Sequence, residues 1–279
     1  MRAKRASFGT LKIGIALLWG FLAIMTYEQK QALGQKQLTN PWEAQAMIES
    51  RRATAPLPPI PGGDPGLWPP PPTEKIELAH DMTAANYVLV FDASFSMNQS
   101  QCSGSISKLQ AAKIAVTNFI TKLEEKSNVG LIGFGAAPGA EREYQWGFVS
   151  GGARASLIQK LKTIRAKGNT PLLRAMNMGY HMLQAQAQRQ GGYGQYHMVI
   201  ITDGAATDGD PSRLAKDIAL HSPVRIHAVG FCLGGGHSLD MPAFTKYSAA
   251  SDPRALEAGL MGALAESPRY DSAAFEKKQ

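Results

Sequence analysis

Short apolar runs alternate with amphipathic segments from about residue 83 onward. The runs that have the length and β-branched composition of strands are 86–91, 128–134, 142–150, 197–202 and 224–231. The segments with helical spacing of apolar residues are 107–126, 156–164, 171–188, a helix opened by Asp210 and Pro211, 241–249 and 253–265. Strands separated by helices predict an α/β fold with a doubly wound, mainly parallel central sheet and helices on both faces. The strand at 142–150 is expected to pair with its predecessor as a hairpin.

The first 82 residues have a different pattern. Residues 1–27 combine a basic flank with an apolar stretch, and residues 8–27 are long enough for a transmembrane anchor. The basic side of this anchor predicts a cytoplasmic N-terminus. Residues 28–82 are expected to form a stalk, with a short helix over 40–53 and a proline-rich, extended linker over 55–72. The folded domain is expected over 83–266, followed by a tail over 267–279.

Composition excludes some function classes. The formal net charge is +7, but Arg2, Lys4, Arg5 and Lys12 account for much of it. No basic stripe interleaved with aromatic residues follows, so we expect no nucleic-acid partner.

The two cysteines, Cys102 and Cys232, cannot make a four-ligand zinc site, and their spacing is compatible with a disulfide or with two unrelated thiols.

Two predicted strands end in an aspartate followed by small or hydroxyl-bearing residues. Asp92 opens the sequence Asp-Ala-Ser-Phe-Ser, and Asp203 is followed by glycine. Ligands bind at the carboxyl ends of strands in doubly wound sheets, so Asp92, Ser94, Ser96 and Asp203 are expected at one crevice. Thr170 precedes a helix that starts with proline and is a further candidate. Such oxygen donors suit a hard cation, Mg²⁺ before Mn²⁺ or Ca²⁺.

These three pieces together resemble the von Willebrand factor type A domain and its metal-ion-dependent adhesion site, written D-x-S-x-S, then T, then D-G. The resemblance covers about residues 86–265. It implies that Ser94 and Ser96 ligate the metal directly, that Thr170 does so in the ligand-bound form, and that Asp92 and Asp203 act through hydrogen bonds and water. It also places both cysteines at the metal-bearing edge, which favours the Cys102–Cys232 disulfide on the oxidising side of a membrane.

The resemblance implies a protein-binding module rather than an enzyme. A metal held mainly by neutral hydroxyls keeps its charge and an open position, which an Asp or Glu of a partner protein can fill. We expect a single-pass inner-membrane protein with its domain in the periplasm. The alternatives are a structural subunit of a membrane complex, in which the metal mainly stabilises the fold, and a Mg²⁺-dependent hydrolase.

Overall fold

The computed structural model describes residues 68–135, 145–233 and 236–265. Its strands are β1 Ala85–Asp92, β2 Asn128–Phe134, β3 Gln145–Val149, β4 Gln195–Thr202, β5 Arg225–Phe231 and β6 Lys246–Ala250. Its α-helices are α1 Lys108–Lys122, α2 Arg154–Thr163, α3 Leu172–Arg189, α4 Ser212–His221 and α5 Pro253–Ala265. Short 3-10 turns occur at Phe95–Asn98 and Gly151–Ala153.

The strands form a six-stranded sheet in the order β3-β2-β1-β4-β5-β6. β3 pairs with β2 in the antiparallel sense, and the remaining neighbours are parallel. This confirms the predicted α/β fold, including the hairpin between β2 and β3. Because β1 and β4 are adjacent and parallel, the loops that follow them lie at the same edge of the sheet.

The two faces of the sheet are both covered, as the continuous apolar strands predicted. On β1, Tyr87, Leu89 and Phe91 belong to the core formed with α1, α2 and α5. Val88 and Val90 point the other way, into the core formed with α3 and α4. Successive strand residues face opposite sides, so a strand buried on both faces has no polar alternation. The double core fixes β1 at the centre of the sheet.

The helix predicted over 241–249 is wrong. Residues 246–250 instead form β6, which pairs with β5 from His227 to Phe231. Thr245 ends the preceding turn, since its hydroxyl donates to the carbonyl of Leu239. The edge of β5 offers unpaired backbone groups, and pairing with them outweighs the helical preference of a segment rich in alanine. A sixth strand is therefore present at this edge of the sheet.

The described part of the predicted stalk lies against the domain. Trp68 stacks edge-on to Tyr196 at 4.7 Å between ring centroids and donates to the hydroxyl of Tyr180. Gln188 on α3 donates to the carbonyl of Pro70, and the amide of Ala79 donates to the carbonyl of Arg189. Residues 68–82 thus run along α3 toward the start of β1.

The predicted anchor over 8–27, the helix over 40–53 and the tail over 267–279 lie outside the described residues. In the parts of the chain that the structure describes, no helix is both long enough and apolar enough to cross a membrane.

Candidate metal centre

The carboxyl ends of β1 and β4 bring three of the predicted site residues together. The hydroxyl oxygens of Ser94 and Ser96 are 2.9 Å apart. Ser96 donates to Oδ1 of Asp203 at 2.7 Å, and the Ser94 hydroxyl lies 3.5 Å from the same oxygen. Two hydroxyls and one carboxylate oxygen therefore meet at one point, as the strand order requires.

Asp92 lies behind the two serines and is wholly buried. One carboxylate oxygen accepts the amide of Ser94 at 2.7 Å, and the other accepts the hydroxyl of Thr202 at 2.6 Å. Burial raises the pKa of Asp92 to about 6, although the hydrogen bonds from Thr202 and Ser94 act in the opposite direction. By accepting the amide of Ser94, the Asp92 carboxylate fixes the serine loop, the segment that carries Ser94 and Ser96.

Thr170 is placed at the same edge by contacts with the loop that follows β4. Its amide donates to the hydroxyl of Thr207, and its carbonyl accepts the amide of Thr207. Its own hydroxyl oxygen lies 3.7 Å from the point where a Cβ on Gly204 would stand. Thr170 therefore borders Gly204, the residue next to Asp203.

Asp208 joins the same two loops, and sequence reasoning missed it. Its carboxylate oxygens accept the amides of Leu173 and Arg174 at the start of α3. A carboxylate on free amides at a helix N-terminus is a favourable arrangement. The signal for Asp208 was the acidic run that follows Asp203. The same run contains Asp210, whose carboxylate accepts the amide of Ser212 at the start of α4, as the sequence predicted.

Lys108, the first residue of α1, is the second residue that the sequence analysis missed. Its ammonium lies 2.8 Å from Oδ2 of Asp203, with side chains that are 4% and 0% exposed respectively. Ala112, Val116 and Phe119 share one face of α1 at helical spacing, and Lys108 lies one turn before Ala112 on that face, so the helical period could have revealed its burial. The centre holds two carboxylates and one ammonium, rather than two carboxylates alone.

Backbone contacts fix the serine loop. The amide of Ala93 donates to the carbonyl of Phe134, the amide of Phe95 donates to the carbonyl of Gly168, and the amide of Lys167 donates to the carbonyl of Ala93. Loops after β1, β2 and α2 are thereby tied together. Gly135 lies against this loop with φ +121°, and a Cβ at Gly135 would overlap the backbone of Ala93 and Ser94. Only glycine fits there.

We expect Gly135→Ala to lower the free energy of unfolding by about 2 kcal/mol, because the added methyl group displaces the serine loop. Gly104→Ala is a matched control, since Gly104 also has a positive φ of 73° but has open space around its Cβ position. That control should cost about 1 kcal/mol from backbone strain alone. Urea unfolding of both variants measures the difference. Equal costs would show that the close approach of Gly135 to Ala93 is unimportant.

The two cysteines meet at this edge as well. The structure pairs Cys102 with Cys232, with their Cα atoms 6.0 Å apart, a separation usual for disulfides. Both residues have a left-handed backbone, with φ of 55° and 61°. The amide of Cys232 also donates to the carbonyl of Ala250 at the end of β6. The pair would connect the loop after the serines to the ends of β5 and β6.

An open groove between α1 and α2 begins beside the serine loop. Asn98, two residues after Ser96 in the same 3-10 turn, is among the residues that line the groove and donates to the carbonyl of Ala166. The charged residues in its lining are Lys113, Lys162 and Arg165. No acidic side chain is among the described residues that line the groove, so this lining is basic.

The donor set suits a small, hard cation. Hydroxyl and carboxylate oxygens are the ligands that Mg²⁺ and Mn²⁺ prefer, and Ser94, Ser96 and Asp203 present three of them together. Within the described residues, no cluster of three or more His, Cys, Asp or Glu side chains is arranged to hold a metal ion. A metal ion bound at this edge would therefore depend on the serine and threonine hydroxyls.

Comparison with known families and structures agrees with this fold. Residues 87–205 match the family model of the von Willebrand factor type A domain. The similarity is to a type A domain over these residues. The match includes every predicted site residue from Asp92 to Asp203. No curated protein is significantly similar to the chain as a whole.

Two solved structures share the type A fold with this chain. The pilus adhesin SpaC from Lactobacillus rhamnosus GG has 21% identity and a TM-score of 0.52, over 67% of this chain and 30% of that one. A von Willebrand factor type A protein from Catenulispora acidiphila has 17% identity and a TM-score of 0.50, over 64% of this chain and 42% of that one. The present chain therefore spans less than half of each of these proteins, and the likeness concerns the fold.

Proposed function

We propose that this type A domain binds a partner protein through a divalent metal ion, most suitably Mg²⁺, with Mn²⁺ or Ca²⁺ as substitutes. The observation that carries the proposal is the meeting of the Ser94 and Ser96 hydroxyls with the Asp203 carboxylate within hydrogen-bond distance. Ser94 and Ser96 would ligate the ion directly. Thr170 would join them when a partner is bound, and Asp92 and Asp203 would act through hydrogen bonds and water.

The charge balance of such a centre favours an acidic ligand. Neutral hydroxyls withdraw little charge from the metal, and Lys108 already offsets Asp203. An ion held this way stays strongly positive and gains from a carboxylate in its open position. The basic groove beside the serine loop adds to this preference, because its lining carries Lys113, Lys162 and Arg165. We infer that the partner offers an Asp or Glu within an acidic surface.

We propose that residues 8–27 anchor the chain in an inner membrane and that the domain lies in the periplasm. Residues 68–82 run to the start of β1, whereas the metal centre lies at the end of that strand. The described stalk therefore reaches β1 at the end of the strand opposite the metal centre. The pilus adhesin with this fold is an example of a type A domain in an adhesive protein.

The Lys108–Asp203 ion pair also bears on the alternative of a purely structural metal. A buried carboxylate without a partner would need an ion for neutralisation. Here the ammonium already supplies the opposite charge at 2.8 Å. The fold thus has its own compensation for Asp203, which supports a metal that serves binding rather than stability.

Partner capture tests the proposal. The full chain in detergent is immobilised and exposed to extract of the cells that express it, in Mg²⁺ or in EDTA, and bound proteins are quantified by mass spectrometry. We expect a set of partners to fall about tenfold or more in EDTA and in the variant Ser94→Ala with Ser96→Ala, because both remove a charge-assisted bond worth more than about 1.4 kcal/mol.

The matched control is Ser100→Ala with Ser105→Ala, which changes two exposed serines in the following loop. It should retain the partners. Urea unfolding of each variant verifies that the domain remains folded. If capture is the same in Mg²⁺, in EDTA and in all variants, the metal-dependent function is wrong.

A further inference from the structure

Lys108 is an unusual residue for its position in the fold. It is the first residue of α1, where the amide ends of the helix carry partial positive charge and acidic residues are favoured. It is also buried, which lysine almost never is without a partner. Both costs are offset by one contact, the ion pair with Asp203 at 2.8 Å. A residue that breaks local rules at a functional edge calls for a functional explanation.

The geometry places the ammonium and the proposed metal on the same carboxylate. Oδ2 of Asp203 accepts from Lys108, and Oδ1 accepts from Ser96 at 2.7 Å. A metal ligated by Ser94 and Ser96 would stand within a few ångströms of the ammonium. In a buried setting, two positive charges at this separation repel each other by more than thermal energy. The Lys108 ammonium and the metal ion would therefore share the single negative charge of Asp203.

The Lys108 side chain has little freedom to avoid this competition. Its amide donates to the carbonyl of Gln99 at 2.8 Å, which ties the start of α1 to the turn after the serine loop. Its side chain is only 4% exposed, so its head group cannot move into solvent without a movement of the surrounding loop. The ammonium is therefore held close to the position that the metal ion would occupy.

We propose that Lys108 is a tethered cation that competes with the divalent metal for Asp203 and so lowers the metal affinity of the centre. The inference rests on the proposed function, since it concerns the same site. Metal loading then requires the ion pair to weaken, and a partner carboxylate that adds negative charge favours the loaded state. Metal and partner would bind cooperatively, with a metal affinity that is weak in the absence of a partner.

The test compares the full-length wild type with Lys108→Met, which keeps an unbranched side chain one atom shorter and removes its charge. Mn²⁺ binding is measured by the paramagnetic signal of the free ion, and Mg²⁺ by competition against Mn²⁺. We expect Lys108→Met to bind Mn²⁺ about tenfold or more tightly than the wild type, because the repulsion is removed. Lys122→Met is the matched control, since Lys122 lies on the same helix but its side chain is 57% exposed.

A second readout uses stability and needs no partner. In EDTA, Lys108→Met should be less stable to urea than the wild type, because Asp203 is left buried without its counter-charge. Added Mn²⁺ should narrow that difference, since the variant binds the ion more tightly and is stabilised more at each concentration.

Each outcome decides the matter. Metal binding by Lys108→Met that is equal to or weaker than that of the wild type overturns the competition and makes Lys108 a positioning residue for Asp203. Binding by the variant but not by the wild type supports it. If neither protein binds Mn²⁺, both this inference and the metal-dependent function are wrong. If Lys108→Met binds Mn²⁺ more tightly as expected but partner capture is the same in Mg²⁺ and in EDTA, only the proposed function is wrong.

Discussion

Replacing both cysteines, as Cys102→Ser with Cys232→Ser, should lower the free energy of unfolding by about 5 kcal/mol. The two residues are separated by 130 positions, so a disulfide between them would greatly restrict the unfolded chain. Urea unfolding of the oxidised wild type and of the variant measures the loss. A loss of this size is a third or more of the total stability of a typical domain, which is about 5 to 15 kcal/mol.

Reduction provides the control for this prediction. Wild type treated with a reducing agent should unfold at the same urea concentration as the double variant, since both lack the cross-link. Oxidised wild type should show no reactive thiol after denaturation. Two reactive thiols in protein purified from an oxidising compartment would contradict the disulfide, as would equal stability of the oxidised and reduced forms.

The convergence of the serine loop and Asp203 was predictable because it follows from strand order. Asp92 ends β1, Asp203 follows β4, and parallel neighbours in a sheet end at the same edge. The sequence also contains the short spacing that brings Ser94 and Ser96 to one point. Whether a metal occupies that point stays a prediction, since it depends on charge as well as on geometry.

β6 could not be predicted because its segment has no strong preference of its own. Lysine, serine and alanine are tolerated in helices, and only the free edge of β5 selects the extended form. The role of Lys108 was hidden for a similar reason. Helical phase placed it on the buried face, but its partner Asp203 is 95 residues away in sequence. Contacts between distant loops require the fold to be known first.

His197 on β4 gives the second large expected effect, which concerns acid stability. It is 1% exposed, its Nδ1 lies 3.4 Å from Nε2 of His227, and its ring stacks on Tyr87 at 4.6 Å. Its Nε2 has no hydrogen-bond partner among the described residues. Burial, together with the nearby charges of His227 and Arg225, lowers the pKa of His197 from 6.5 to about 3. The native state therefore keeps this ring neutral.

The sign of the pH effect follows from these two values. Between pH 6.5 and 3 the unfolded chain binds a proton that the native His197 does not bind. Stability from this residue is complete above pH 6.5 and is lost as the pH falls, by about 1.4 kcal/mol for each pH unit. The free energy of unfolding of His197→Gln minus that of the wild type is compared with the same difference at pH 8. This difference should rise by about 2 kcal/mol at pH 5 and by about 3 kcal/mol at pH 4.

The comparison between variants is needed because Asp92 acts in the opposite direction. Its native pKa is raised from 3.8 to about 6, so the folded state binds the extra proton between these values and gains stability as the pH falls. The two contributions nearly cancel in the wild type from pH 6 to pH 4. The free energy of unfolding of His197→Gln should therefore rise relative to that of the wild type as the pH falls from 6 to 4, as measured by urea unfolding in EDTA.

His221→Gln, which replaces an exposed histidine on α4, controls for the loss of a histidine as such. If His197→Gln and the wild type keep a constant difference from pH 8 to pH 4, His197 is not the acid-sensitive group. His197 lies near the start of β4, opposite Tyr87, whereas Asp92 lies at the carboxyl end of β1. An acid effect that persists in Asp92→Asn would therefore separate the core histidine from the metal edge and assign each titration to its own end of the sheet.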